Sequence, residues 1–118
     1  MDEAIDALVH RNLLDVFNER DPERRSSAMA EIYAEDVTFT DPGGVVTGHE
    51  AIGRKAQEIL DGAPGFVFSP AGPSRQSGDL ALLSWRFGPA GGDPVVTGTD
   101  VSLVRDGRIA SLHTLLDG

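Results

Sequence analysis

Helical hydrophobic spacing dominates the first half of this chain and strand spacing the second, and that order restricts the fold more than any single motif. Ile5, Leu8, Val9, Leu13, Val16 and Phe17 recur three and four residues apart, which predicts a helix over 2–19. Asp21-Pro22 then supplies an N-cap and a first-turn proline for a second helix over 22–34, with Met29, Ile32 and Tyr33 facing inward. A short hairpin follows: Val37, Phe39 and Asp41 share one strand face, Pro42-Gly43-Gly44 turns the chain, and Val45-Val46-Thr47 pairs back. Gly48 leads into a third helix over 49–61 that buries Ile52, Ala56, Ile59 and Leu60 and ends at Gly62. The rest reads as strands, 66–69, 79–87, 95–104 and 108–116, the last two joined through Asp106-Gly107, a pair suited to the positive φ angles of a type I′ turn. Helices first and antiparallel strands afterwards define an α+β domain in which a curved sheet wraps around the N-terminal helices. Such a sheet encloses a cone-shaped cavity.

The 118 residues suit one domain, 1–118, without repeats, linkers or low-complexity tracts. There is no cysteine, which excludes disulfides, thiolate metal sites and a cysteine nucleophile together. Ten Lys and Arg against 19 Asp and Glu give a net charge of −9, and the basic residues are scattered, so nucleic acid is not an expected partner. The acidic start Met1-Asp2-Glu3 is unlike a signal peptide, and no apolar run approaches the roughly 18 residues of a membrane span. The expectation is a cytoplasmic protein with no membrane partner.

Two aspartates interrupt apolar strand runs: Asp41, at the end of Val37-Thr38-Phe39-Thr40-Asp41, and Asp100, inside Val95–Val104. A carboxylate on a half-buried strand costs several kcal/mol, roughly, unless it is paired, solvated in a cavity or kept neutral. Asn12 is a third inward polar group, set in the apolar stripe of the first helix. Each also has a structural reading: Asp41 as a turn-capping residue before proline, Asn12 as an amide satisfying a neighbour. Alternation around Asp100 leaves both faces open, since Val95, Thr97, Thr99 and Val101 oppose Val96, Gly98, Asp100 and Ser102.

Tyr33–Pro42 followed by Gly48-His49-Glu50-Ala51-Ile52, with Gly98-Thr99-Asp100-Val101 and Asp106-Gly107-Arg108-Ile109 near the end, resembles the nuclear transport factor 2-like superfamily in its SnoaL-like and ketosteroid isomerase-like branch. The resemblance implies a cystatin-like α+β barrel, a homodimer, and cofactor-independent acid/base chemistry on a small apolar carbonyl compound, as in an isomerase or polyketide cyclase. It makes Asp41 the general base and Asp100 a protonated acid that hydrogen-bonds an enolate oxygen. Ketosteroid isomerase is the standard example of a carboxyl held neutral by apolar surroundings. The branch's oxyanion tyrosine falls at Asn12 or Leu13, so the phenol is missing and Asn12 becomes the candidate donor. The same scaffold also hosts non-catalytic ligand- or partner-binding domains. An unfilled cavity lined by Asn12, Asp41, Asp100 and Thr114 would favour an enzyme, and one plugged by aromatics a binder. Epoxide opening is a third option, but its usual second carboxylate position holds Thr114.

Of the strand residues around these, Arg86 and Ser84 share a face and are expected to reach substrate, leaving Trp85 to core or interface. Phe39, Leu112, Leu116 and Thr114 are expected on the substrate side, with Ala56, Ile59, Phe66, Phe68 and Leu82 completing the walls. His10, His49 and His113 have no metal-ligand spacing, so no metal and no cofactor is expected. His113 belongs opposite Thr114, on the outer face where a partner subunit would pack.

Overall fold

Asp2 accepts from the amides of Ala4 and Ile5 and so starts α1, Glu3–Arg11, in the computed structural model, which describes residues 2–117; Met1 and Gly118 lie outside the described residues. Beyond Arg11 the helix continues as a wider π-helical segment, Asn12–Phe17, which buries Asn12, Leu13, Val16 and Phe17. Asp21 caps α2, Pro22–Ile32, and the helix stops where Tyr33 becomes extended. The third helix, α3, His49–Asp61, buries Ile52, Gly53, Ala56 and Leu60. Arg25, only 3% exposed, ties α2 to α3: its guanidinium donates to the carbonyls of Glu19 and Gly53 and to Gln57 Oε1.

Seven strands form one sheet: β1 Tyr33–Asp41, β2 Gly44–Thr47, β3 Phe66–Pro70, β4 Arg75–Ser77, β5 Leu80–Pro89, β6 Val96–Arg105 and β7 Arg108–Leu116. Their order is β2-β1-β7-β6-β5-β3, with β4 also on β5. The pairs are antiparallel except β1 with β7, which run parallel; the crossover between them in sequence holds one helix, α3, and five strands, β2 to β6. The short strand β4 falls in residues to which the sequence pattern gives no element. The sheet is curved and does not close, so an α+β fold with an open cone results. Asp106 and Gly107 have φ of 53° and 75°, as the type I′ turn between β6 and β7 demands.

Pairing fixes which face each strand buries. Leu83, Asp100 and Thr114 lie side by side across β5, β6 and β7, and Trp85, Gly98 and Leu116 form the next row. Ala81, Leu83, Trp85 and Phe87 are buried against the helices. The opposite face carries Ser84 and Arg86, so the strand is inverted from the sequence expectation. Arg86 donates to the carbonyl of Pro70, and the hydroxyls of Ser84 and Thr99 meet at 2.9 Å. No helix among the described residues is long and apolar enough to cross a membrane.

Candidate active site

The inner face of the sheet, the π-helical segment and α3 leave a cavity of about 270 Å³ between them. That is near the lower end of small-molecule sites, roughly 300–1,000 Å³. Aromatic side chains make much of its wall and pack against one another instead of filling it. The Phe68 ring stacks on Phe87 at 4.1 Å and meets Trp85 edge-on at 5.2 Å, and Phe17 lies 5.4 Å from Phe39. Such contacts hold flat rings in fixed orientations, so the cavity is preshaped for an apolar body.

Asp100 faces this cavity and is 7% exposed. Its Oδ1 accepts two hydrogen bonds, from Trp85 Nε1 at 2.9 Å and Thr114 Oγ1 at 2.8 Å. Among the described residues Oδ2 has no recorded partner. Burial pushes the carboxyl up to about 6, against the downward pull of the Thr114 and Trp85 hydrogen bonds, which favour the charged form. Asp100 is therefore poised between acid and base. The direction is the one the resemblance implies, toward the protonated form.

Asp41 lines the same cavity near its mouth, with a side chain 16% exposed. Both oxygens are engaged. Oδ1 accepts from the Gly43 amide at 2.8 Å and Oδ2 lies 3.2 Å from Lys55 Nζ. The first contact is the turn-capping reading of Asp41; the second has no counterpart in the sequence analysis. Lys55 follows Ile52 by three residues and precedes Ile59 by four, so it shares the inward stripe of α3, and that spacing is the signal that could have found it.

Of the other expected site residues, Thr114, Phe39 and Leu116 line the cavity, as do Ile59 and Phe68. Leu112 and Ala56 are fully buried in the core beside it. Phe66 is half-buried at its edge, and Leu82 lies on the outer face with Ser84 and Arg86. Those two are not substrate-side residues, because the strand turns its all-apolar set inward. Asn12 is 1% exposed but is not part of the cavity wall: its Oδ1 accepts from the Tyr33 hydroxyl. Burial, with the nearby Asp100 charge, pushes that phenol well above its ordinary value, so it stays a donor to the amide. Trp85, expected in core or interface, is in the core, and from there its indole also lines the cavity and donates to Asp100. The uninterrupted apolar series Ala81, Leu83, Trp85, Phe87 was the clue to its inward face.

A curved open sheet over three helices, enclosing an apolar cavity with a buried carboxyl, defines the nuclear transport factor 2-like class. The chain belongs to the SnoaL-like domain family, whose model matches residues 10–112. A solved structure of a provisionally assigned isomerase of the SnoaL-like family from Agrobacterium tumefaciens is 30% identical, with 99% of this chain and 100% of that one aligned at a TM-score of 0.90. A provisionally assigned polyketide cyclase from Sinorhizobium meliloti is 29% identical over 94% of this chain and 97% of its own, at 0.72. A provisionally assigned ketosteroid isomerase from Kribbella flavida shares the fold at 24% identity and a TM-score of 0.74, over 98% of this chain and 79% of that one. No curated protein matches the chain.

Proposed function

We propose that this protein is a cofactor-independent enzyme that moves a proton to and from carbon beside the carbonyl of a small apolar compound, in an isomerisation or a ring closure, with Asp100 as the acid/base. The observation that carries this reading is the buried Asp100 carboxyl on the wall of an apolar cavity, with Oδ1 held by Trp85 and Thr114 and Oδ2 without a partner among the described residues. A carboxyl near 6 can both accept and return a proton close to neutral pH, where general acid–base catalysis is most effective. Asp41 suits the base less well, since its anion is already paired with Lys55 and the Gly43 amide.

The step balances without redox chemistry. Asp100 Oδ2 takes the α-proton, the C–H electron pair forms the enolate double bond, and the carbonyl π pair moves to oxygen. Asp100 then returns the proton to a different carbon in an isomerase. In a cyclase the enolate carbon attacks a second carbonyl and the proton goes to the new alkoxide. The named isomerase and cyclase relatives support either ending. Both begin with the same exchangeable proton, so the test needs no knowledge of the final product. In D2O, NMR should show α-hydrogen exchange in members of a panel of apolar ketones and 1,3-diketones, with Asp100→Asn slowing it at least a hundredfold. Exchange no faster than buffer across the panel would leave a ligand-binding pocket in place of an enzyme.

A further inference from the structure

Carbon deprotonation needs a second group besides the base, one that meets the oxygen on which charge develops. The cavity offers few. The Trp85 and Thr114 protons are committed to Asp100 Oδ1, Asn12 is turned to Tyr33, and Asp41 is itself an acceptor. Lys55 is the one cationic side chain among the residues lining the cavity. Its side chain, 30% exposed, lies on the inward stripe of α3 and carries the ammonium to the rim beside Asp41.

We propose that Lys55 is a catalytic residue whose ammonium binds the oxygen that turns negative when the substrate proton leaves, while Asp41 positions that ammonium in the free protein. The inference rests on the proton-transfer reading above and deepens it. Before the transfer the negative charge sits on Asp100; afterwards Asp100 is neutral and the charge is on the ligand. The cavity thus keeps its net charge, and the charge moves toward Lys55. The orientation of substrate follows. Its carbonyl oxygen lies at the mouth and its hydrocarbon body against Phe17, Phe68 and Trp85, which makes the substrate class an apolar ketone or 1,3-diketone with the reacting carbon between mouth and wall.

Substitution Asp100→Asn fixes position 100 in the neutral state reached after proton transfer, and 2-naphtholate is an aromatic stand-in for the enolate. Fluorescence titration of that chain with 2-naphthol across pH should show tight binding of the anion. Adding Lys55→Met should weaken naphtholate binding roughly tenfold or more while naphthalene binding changes by less than about twofold. Lys55→Arg should keep the anion site. Asp41→Asn should not weaken it, because removing a carboxylate from beside the ammonium leaves the cation more available to the ligand. A Lys55→Met chain with unchanged naphtholate affinity overturns the proposal, and so does an Asp41→Asn loss as deep as that of Lys55→Met, the signature of a merely structural ion pair. Failure of naphthalene to bind the wild-type chain would remove both the ligand cavity and Lys55's role in it. Expected naphtholate behaviour without any α-hydrogen exchange keeps the anion site and removes the proton-transfer reading.

Discussion

Asp100 holds a carboxyl in apolar surroundings, and that placement has a thermodynamic consequence separate from any substrate. Its folded-state value of about 6 lies above the ordinary 3.8, so between those limits the native state binds more protons than the unfolded one. The sign is therefore that of a raised acid. The group is harmless below about 3.8 and progressively destabilising as pH rises through about 6. The full cost is roughly 3 kcal/mol, a large share of the 5–15 kcal/mol that holds a typical domain together. Asp100→Asn should accordingly gain up to about 3 kcal/mol over the wild type in urea unfolding at pH 8 and close to nothing at pH 4. A gain independent of pH would mean that the carboxyl is not desolvated in the folded protein. How much of this was legible in the sequence differs by residue. An aspartate amid Thr99 and Val101 announced an unusual carboxyl, but alternation could not choose its face; only the row Leu83–Asp100–Thr114 does that. Lys55 went unread because lysine on an amphipathic helix is usually a solvated residue, and its partner Asp41 lies across a turn and a strand.

At the scale of elements, the site depends on a missing side chain. Gly98 on β6 sits beside Trp85 on β5, and a Cβ there would stand 2.5 Å from the indole Cζ2 and 2.6 Å from the Leu115 carbonyl. Neither neighbour can yield cheaply, since one belongs to the sheet backbone and the other to a ring wedged against Phe68. Gly98 thus lets the indole lie flat over β6 and reach Asp100 two residues further on. Gly98→Ala should destabilise the fold by about 1–3 kcal/mol through overpacking and push the indole off the carboxyl. The chain has one tryptophan, so its emission reports that displacement directly. An unaltered spectrum with wild-type stability would contradict the close packing. Element order, the helix starts at Asp2 and Pro22, and the Asp106-Gly107 turn were all readable, because capping and turn chemistry act within a few residues. The parallel pairing of β1 with β7 was not, because the partners are some seventy residues apart and no local signal encodes it.

For the whole molecule, the two faces of the sheet have different tasks. The inner face closes on the helices and the cavity, while the outer face presents the rows Leu82–Val101–His113 and Ser84–Thr99–Leu115, with Leu103 and Leu115 left 39% and 59% exposed. Small hydroxyls flanked by aliphatic side chains suit a flat contact, and a second copy of the chain is the occupant that the sequence leads one to expect. Each copy brings a net charge of −9, so burying the apolar face must overcome mutual repulsion. Salt separates the two terms: it screens the repulsion beyond roughly 10 Å at 0.1 M and leaves the apolar contact largely untouched. Sedimentation velocity should therefore find two associated chains, held more tightly at 0.15 M than at 0.01 M salt, roughly the span over which the Debye length falls from 30 to 8 Å. Leu115→Glu should yield folded single chains, since that side chain already tolerates water and points away from the cavity. Wild-type protein that sediments as one chain at every salt concentration would show that the outer face needs no partner. In that case the cavity is complete within a single chain, and the α-hydrogen exchange rate per chain should not change on dilution.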